Sequence, residues 1–190
     1  MTKFILHGGF FSTRNKLNRT FLQECTKSLK DGATVLLVLF ATKDEDIPKK
    51  FQQDREKLVE TANTKDLNYI LASKENFTDQ VRAANAIFIR GGETSKLLET
   101  VKHFPTFASE LDGKIVAGSS AGAYLLSRFY HSATYGGVHE GLGILPTRII
   151  CHYQSTILPS PDDPIAEMEK YPKDLKLIVL KDFEWTVITK

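Results

Sequence analysis

Cysteine is scarce in this chain of 190 residues, which holds only Cys25 and Cys151. Two thiols make no disulfide framework of the kind that staples small secreted domains, and they fit a reducing compartment, so a cytoplasmic location is the expectation. Charge of one sign is lacking too. The formal net charge is +2, too small for an electrostatic footprint on nucleic acid or on an anionic membrane, and neither partner is expected. Long hydrophobic runs are missing: stretches such as 35–41 are strand-sized, whereas a membrane-spanning helix takes about 20 apolar residues. The first nine residues lack the extended apolar segment and small-residue cleavage site of a secretory signal and read as a first strand. By exclusion, the expected ligand is a small molecule or a short peptide. The length suits one domain, residues 1–190, able to bury roughly two-thirds to three-quarters of its unfolded surface.

What is present is a regular alternation. Nearly continuous apolar runs at 4–7, 34–40, 68–71, 86–89, 114–117 and 175–180 suit strands buried on both faces. Between them lie segments of helical spacing, one carrying Leu17, Phe21, Cys25 and Leu29, another Phe51, Arg55, Leu58, Val59 and Ala62. Strand and helix in turn predict an α/β fold, a mostly parallel sheet with helices on both faces. Ligands in such folds sit beyond the carboxyl ends of the strands. The least regular stretch, 155–172, reads as a surface loop around a short helix at 165–170 that could border a cleft.

The strongest chemical signal follows the run at 114–117, where Gly118-Ser119-Ser120-Ala121-Gly122 places Gly-x-Ser-x-Gly between a strand pattern and a helix pattern. A nucleophile on a strained strand-to-helix turn needs small neighbours. Its hydroxyl then projects outward, and the next backbone N–H is free to bind an oxyanion. A tight turn with no chemistry is the competing reading. A second strand runs into Arg90-Gly91-Gly92-Glu93-Thr94, where paired glycines admit a ligand to backbone N–H groups and Thr94 can cap the following helix. It lacks the ending of a P-loop and the spacing of a dinucleotide fingerprint.

A serine hydroxyl needs a base to take its proton. Of five histidines, His152 is the leading candidate because 148–152 reads as a strand that ends where the irregular segment starts. His131 and His139 flank a glycine-rich stretch, His103 ends a helix, and His7 closes the first strand beside Gly8-Gly9. A carboxylate should orient the imidazole, and Asp182 and Glu184 follow the last apolar run. No clustered metal-ligand spacing occurs, and no cofactor or metal is expected.

With Arg90-Gly91-Gly92-Glu93-Thr94, Gly118-Ser119-Ser120-Ala121-Gly122-Ala123 and Gly141-Leu142-Gly143-Ile144-Leu145-Pro146 followed by His152, the chain resembles the peptidase E and cyanophycinase family over most of its length. The resemblance implies a three-layer α/β/α sandwich like that of class I glutamine amidotransferases, with serine where those enzymes use cysteine. It implies metal-independent hydrolysis of peptide bonds involving aspartate, in dipeptides with N-terminal aspartate or in the aspartate–arginine polymer cyanophycin. Ser120 would be the nucleophile and His152 the base. Gly92 and Ala121 would offer oxyanion N–H groups within a substrate-binding set that includes Gly91 and Thr94.

The chain departs from the family pattern in two places. Thr134-Tyr135-Gly136 stands where peptidase E has an aspartate after the nucleophile helix, so the acid falls to the later Glu184 or Asp182, with Glu184 ranked slightly ahead. No arginine follows Arg148, so that segment has no arginine clamp for a substrate carboxylate. The expected function is a serine-type peptidase or amide hydrolase acting on small peptides. The alternatives are a non-catalytic binding protein of the same fold and an esterase or acyltransferase using the same serine. Monomer and homodimer both remain open.

Overall fold

The apolar runs become strands because each can bury both of its faces. The computed structural model describes residues 1–62 and 65–190. Its elements run β1 (Lys3–His7), α1 (Lys16–Thr26), β2 (Thr34–Val38), α2 (Ile47–Thr61), β3 (Asn68–Leu71), α3 (Phe77–Ala83), β4 (Ala86–Ile89), α4 (Thr94–Lys102), β5 (Ile115–Ser119), α5 (Ala121–Leu126), β6 (Ser127–His131), β7 (Val138–Glu140), β8 (Leu145–Ile150), α6 (Pro164–Glu169), β9 (Lys176–Val179) and β10 (Trp185–Thr189). The larger sheet has the order β10-β1-β5-β4-β2-β3, parallel except for β10 at its edge.

Successive side chains on these strands enter two different cores, as the two-residue repeat of a strand requires. Ile5, Val35, Leu37, Phe88 and Ala117 pack with Phe21 and Cys25 of α1 and Leu58 of α2. Their neighbours Phe4, Leu6, Leu36, Val38, Ile87, Ile89 and Val116 pack with Phe77 of α3, Leu97 of α4 and Leu125 of α5. Helices therefore cover both faces, and the α/β sandwich is the fold.

Two features differ from the sequence reading. The runs at 148–152 and 175–180 do not join the main sheet. They supply β8 and β9 of a second sheet, of order β7-β6-β8-β9, whose only antiparallel pair is β6 with β7. Leu145, Ile149 and Ile178 of this sheet share a core with α5, and an apolar run alone does not say which sheet will bury it. The buried face of α2 is also rotated: Leu58 and Asp54 are inside, Arg55 is exposed, and Val59 is half exposed.

Register brings the functional loops together. His7 pairs with Ser119 across β1 and β5, and Ile89 pairs with Gly118 across β4 and β5. The chain leaving β1, the Gly91-Gly92 turn and Ser120 thus emerge at one edge of the sheet. Ile150 pairs with Val179 across β8 and β9, so Cys151-His152 and Leu180-Lys181-Asp182 leave the smaller sheet side by side. Among the described residues no helix is long and apolar enough to cross a membrane.

Candidate active site

Ser120 stands at the junction of β5 and α5 with φ 50° and ψ −110°, a conformation costing a non-glycine residue on the order of 1–3 kcal/mol. Several contacts hold it there. Its N–H donates to the His7 carbonyl at 2.9 Å, and its own carbonyl accepts from the Tyr124 N–H at 2.9 Å. Close packing explains the flanking glycines: a Cβ on Gly118 would lie 2.5 Å from the carbonyl carbon of Gly122, and one on Gly122 would lie 2.3 Å from the Ile89 carbonyl oxygen. Only a residue without a side chain lets β5, α5 and β4 meet this closely.

His152 follows β8 and is only 5% exposed. Its Nε2 lies 3.0 Å from Ser120 Oγ and its Nδ1 lies 2.7 Å from Asp182 Oδ1. A carboxylate on Nδ1 fixes the proton there and leaves the Nε2 lone pair facing the serine hydroxyl. Burial lowers the His152 pKa, and the hydrogen bond and charge of Asp182 oppose that shift. Asp182 is itself held, since its Oδ2 accepts from Ser155 Oγ at 2.6 Å while that oxygen accepts the N–H groups of Ile157 and Leu158. Glu184, ranked ahead of Asp182 from the family pattern, does not reach the imidazole. Its Oε2 accepts the Lys181 N–H at 2.9 Å and closes the turn that carries Asp182.

The chain after β1 supports His152 from the other side. The His152 N–H donates to the Gly8 carbonyl at 3.1 Å, the Gly8 N–H donates to Glu184, and the Phe183 N–H donates to Gly9. Gly9 has φ 123°, and a Cβ there would lie 2.0 Å from His152 Cε1. The Phe10 ring meets the imidazole edge-on, with centroids 4.7 Å apart. Sequence reasoning found neither this support nor Ser155; the one visible signal was the Gly-Gly pair directly after a strand.

A cleft of about 590 Å³ opens over Ser120 and His152, with Gly91, Gly92 and Thr94 in its lining. Gly91 lies against the elbow, since a Cβ on it would be 3.1 Å from Ser120 Cβ. Ala121 is fully buried as the first residue of α5, and among the described residues neither its N–H nor that of Gly92 donates to a backbone carbonyl. Thr94 begins α4 instead of capping it; Glu93 occupies the cap position, without a side-chain bond.

The other histidines are engaged elsewhere. His103 Nδ1 bonds the Glu99 carbonyl, His131 Nε2 bonds Asp162 at 2.7 Å, His139 Nε2 bonds the Gly136 carbonyl, and His7 is fully buried. Cys151 is buried with its thiol beside the His7 carbonyl, and burial pushes its pKa up. Arg90, which a strand end would ordinarily leave in solvent, is only 12% exposed; it pairs with Asp54 and lies over the Phe11 ring. Burial raises the Asp54 pKa and the guanidinium opposes this.

The family model for peptidase family S51 matches residues 4–190. No curated protein matches the chain. Among solved structures, a peptidase from an acI-B1 Actinobacterium superposes with a TM-score of 0.72 at 19% identity, covering 99% of this chain and 83% of that one. A protein described as a peptidase E from Listeria monocytogenes EGD-e gives a TM-score of 0.67 at 19% identity, covering 100% of this chain and 98% of that one. At this identity the two structures are evidence for the fold.

Proposed function

Because the chain belongs to peptidase family S51, we propose that this serine peptidase cleaves small peptides through Ser120, with His152 as base and Asp182 as the acid that orients it. The observation that carries the reading is the unbroken line from Ser120 Oγ to His152 Nε2 at 3.0 Å and from Nδ1 to Asp182 at 2.7 Å. His152 takes the hydroxyl proton as Oγ attacks the carbonyl carbon. The N–H groups of Gly92 and Ala121 stabilise the oxyanion, and His152 returns the proton to the leaving amine. Water, deprotonated by the same imidazole, then releases the acyl group from Ser120. The absence of an acid after the nucleophile helix would favour a non-catalytic protein of the same fold, but Asp182 offers a carboxylate from a different turn.

The family resemblance makes aspartyl dipeptides the first substrates to test. Arg90 is committed to Asp54, which leaves Lys50 as a cation of the cleft lining with no ion pair among the described residues. The test is amine release from dipeptides with N-terminal aspartate and with neutral N-termini. Peptide turnover that disappears in Ser120→Ala is the expected result. Turnover of simple acyl esters with none of any peptide would replace this reading with that of an esterase.

A further inference from the structure

His7 bonds groups on both sides of the site, next to Ser120 and next to His152. Its carbonyl accepts the Ser120 N–H at 2.9 Å and lies 3.7 Å from Cys151 Sγ, the residue before His152. Its ring is fully buried against Phe21, with centroids 4.3 Å apart. Three polar groups face the ring nitrogens: Asn18 Oδ1 lies 2.9 Å from Nε2, and Ser119 Oγ at 3.1 Å and the Gly9 N–H at 3.0 Å face Nδ1.

These partners determine where the His7 proton sits. Asn18 Nδ2 donates to the carbonyls of Phe10 at 2.8 Å and Thr13 at 2.7 Å. Carbonyls only accept, so the amide is oriented with Oδ1 towards His7, and His7 Nε2 must carry the hydrogen. The Nδ1 lone pair then accepts the Gly9 N–H and the Ser119 hydroxyl, and both ring nitrogens are satisfied in the neutral form. A second proton on Nδ1 would leave the Gly9 N–H facing another donor.

Gly9 and Ser119 are the parts of the chain whose placement matters most. Ser119 immediately precedes the nucleophile, and Gly9 lies so close to the His152 ring that no side chain fits between them. We infer that His7 is a positioning residue: its Nδ1 lone pair ties the strand entering the elbow to the Gly9-Phe10 turn packed on His152, and so sets the Ser120-to-His152 separation. The inference rests on the proposed roles of Ser120 and His152. It concerns reactivity, since His7 is absent from the cleft lining.

Side-chain geometry supplies a test that separates positioning from stability. In His7→Asn the amide oxygen falls near the place of Nδ1, keeping an acceptor for Gly9 and Ser119 while losing the bond to Asn18. In His7→Gln the amide nitrogen reaches towards Asn18 and the Nδ1 acceptor is lost. Labelling by a fluorophosphonate probe, resolved into the maximal rate and the half-saturating probe concentration, is measured with thermal melting of each variant.

In His7→Gln the maximal rate should fall roughly 10- to 100-fold with little change in half-saturation, because misplacement of about 1 Å costs that much. His7→Asn should recover most of the rate even where it melts at lower temperature. If His7→Gln does not fold, Ser119→Ala, which removes one partner of Nδ1, should still slow labelling several-fold at unchanged half-saturation. Wild-type rates in folded His7→Gln and in Ser119→Ala, or rates that simply follow melting temperature, overturn the inference alone. A wild-type protein that does not label at all overturns the hydrolase reading and this inference with it.

Discussion

A histidine that accepts a serine proton must be uncharged, and burial favours the uncharged imidazole of His152. Its folded pKa lies below the ordinary histidine value of about 6.5, so the base stays neutral to lower pH than a solvated histidine would. The acid limb of the labelling rate against pH should therefore have its midpoint below about 6.5; a midpoint above that value would mean that the Asp182 charge outweighs burial. Asp182 and Glu184 can be separated directly. In Asp182→Asn the amide oxygen stays with the Ser155 hydroxyl, whose own oxygen already accepts two N–H groups. An NH2 then faces Nδ1, the wrong tautomer is held, and kcat should drop on the order of 10³–10⁴-fold. Glu184→Gln retains an oxygen able to accept the Lys181 N–H and should stay within about threefold, a difference worth under 1 kcal/mol. Equal losses in the two variants would contradict the assignment of the acid.

Tight approaches between elements keep the nucleophile and base in register. Gly9→Ala would force a Cβ onto the imidazole at a φ of 123°, and the peptide-cleavage rate should fall by at least about 100-fold through displacement of His152. Ser155→Ala would free Asp182 Oδ2 and the N–H groups of Ile157 and Leu158, a loss of about 1–3 kcal/mol readable by urea unfolding. The elbow was legible in the sequence because glycines between a strand pattern and a helix pattern have few other uses. The choice between Asp182 and Glu184 was not, because a turn with Phe183 at φ 70° decides which carboxylate faces inward. Strand positions were legible from apolar runs, but partners were not, since β8 and β9 carry the same pattern as the main sheet. The place of Arg90 was hidden because Asp54, its partner, sits on a helix face that the periodicity placed one residue further on.

Across the whole molecule, buried ionisable groups carry part of the stability, and two of them can be tested directly. Burial, with a smaller contribution from His152, lowers the His7 pKa to about 4 from 6.5. Between those values the unfolded chain binds more protons than the folded one, so stability rises with pH. The His7 contribution is fully present above about pH 6.5 and is lost as pH falls towards 4. The fall in unfolding free energy from pH 7.5 to 4.5 should be roughly 2–3 kcal/mol larger in wild type than in His7→Asn; equal falls would mean His7 is not buried neutral. Arg90→Met would leave Asp54, 1% exposed, without its cation and should cost about 3–5 kcal/mol in urea unfolding. The activity proposed for this architecture stands or falls on whether Ser120 is an activated nucleophile. The most direct measurement is fluorophosphonate labelling of the folded protein, with the adduct located by peptide mass spectrometry. A single phosphonyl group on Ser120, lost in His152→Ala, is the expected result; an adduct on another residue, or none on protein shown to be folded, would contradict it.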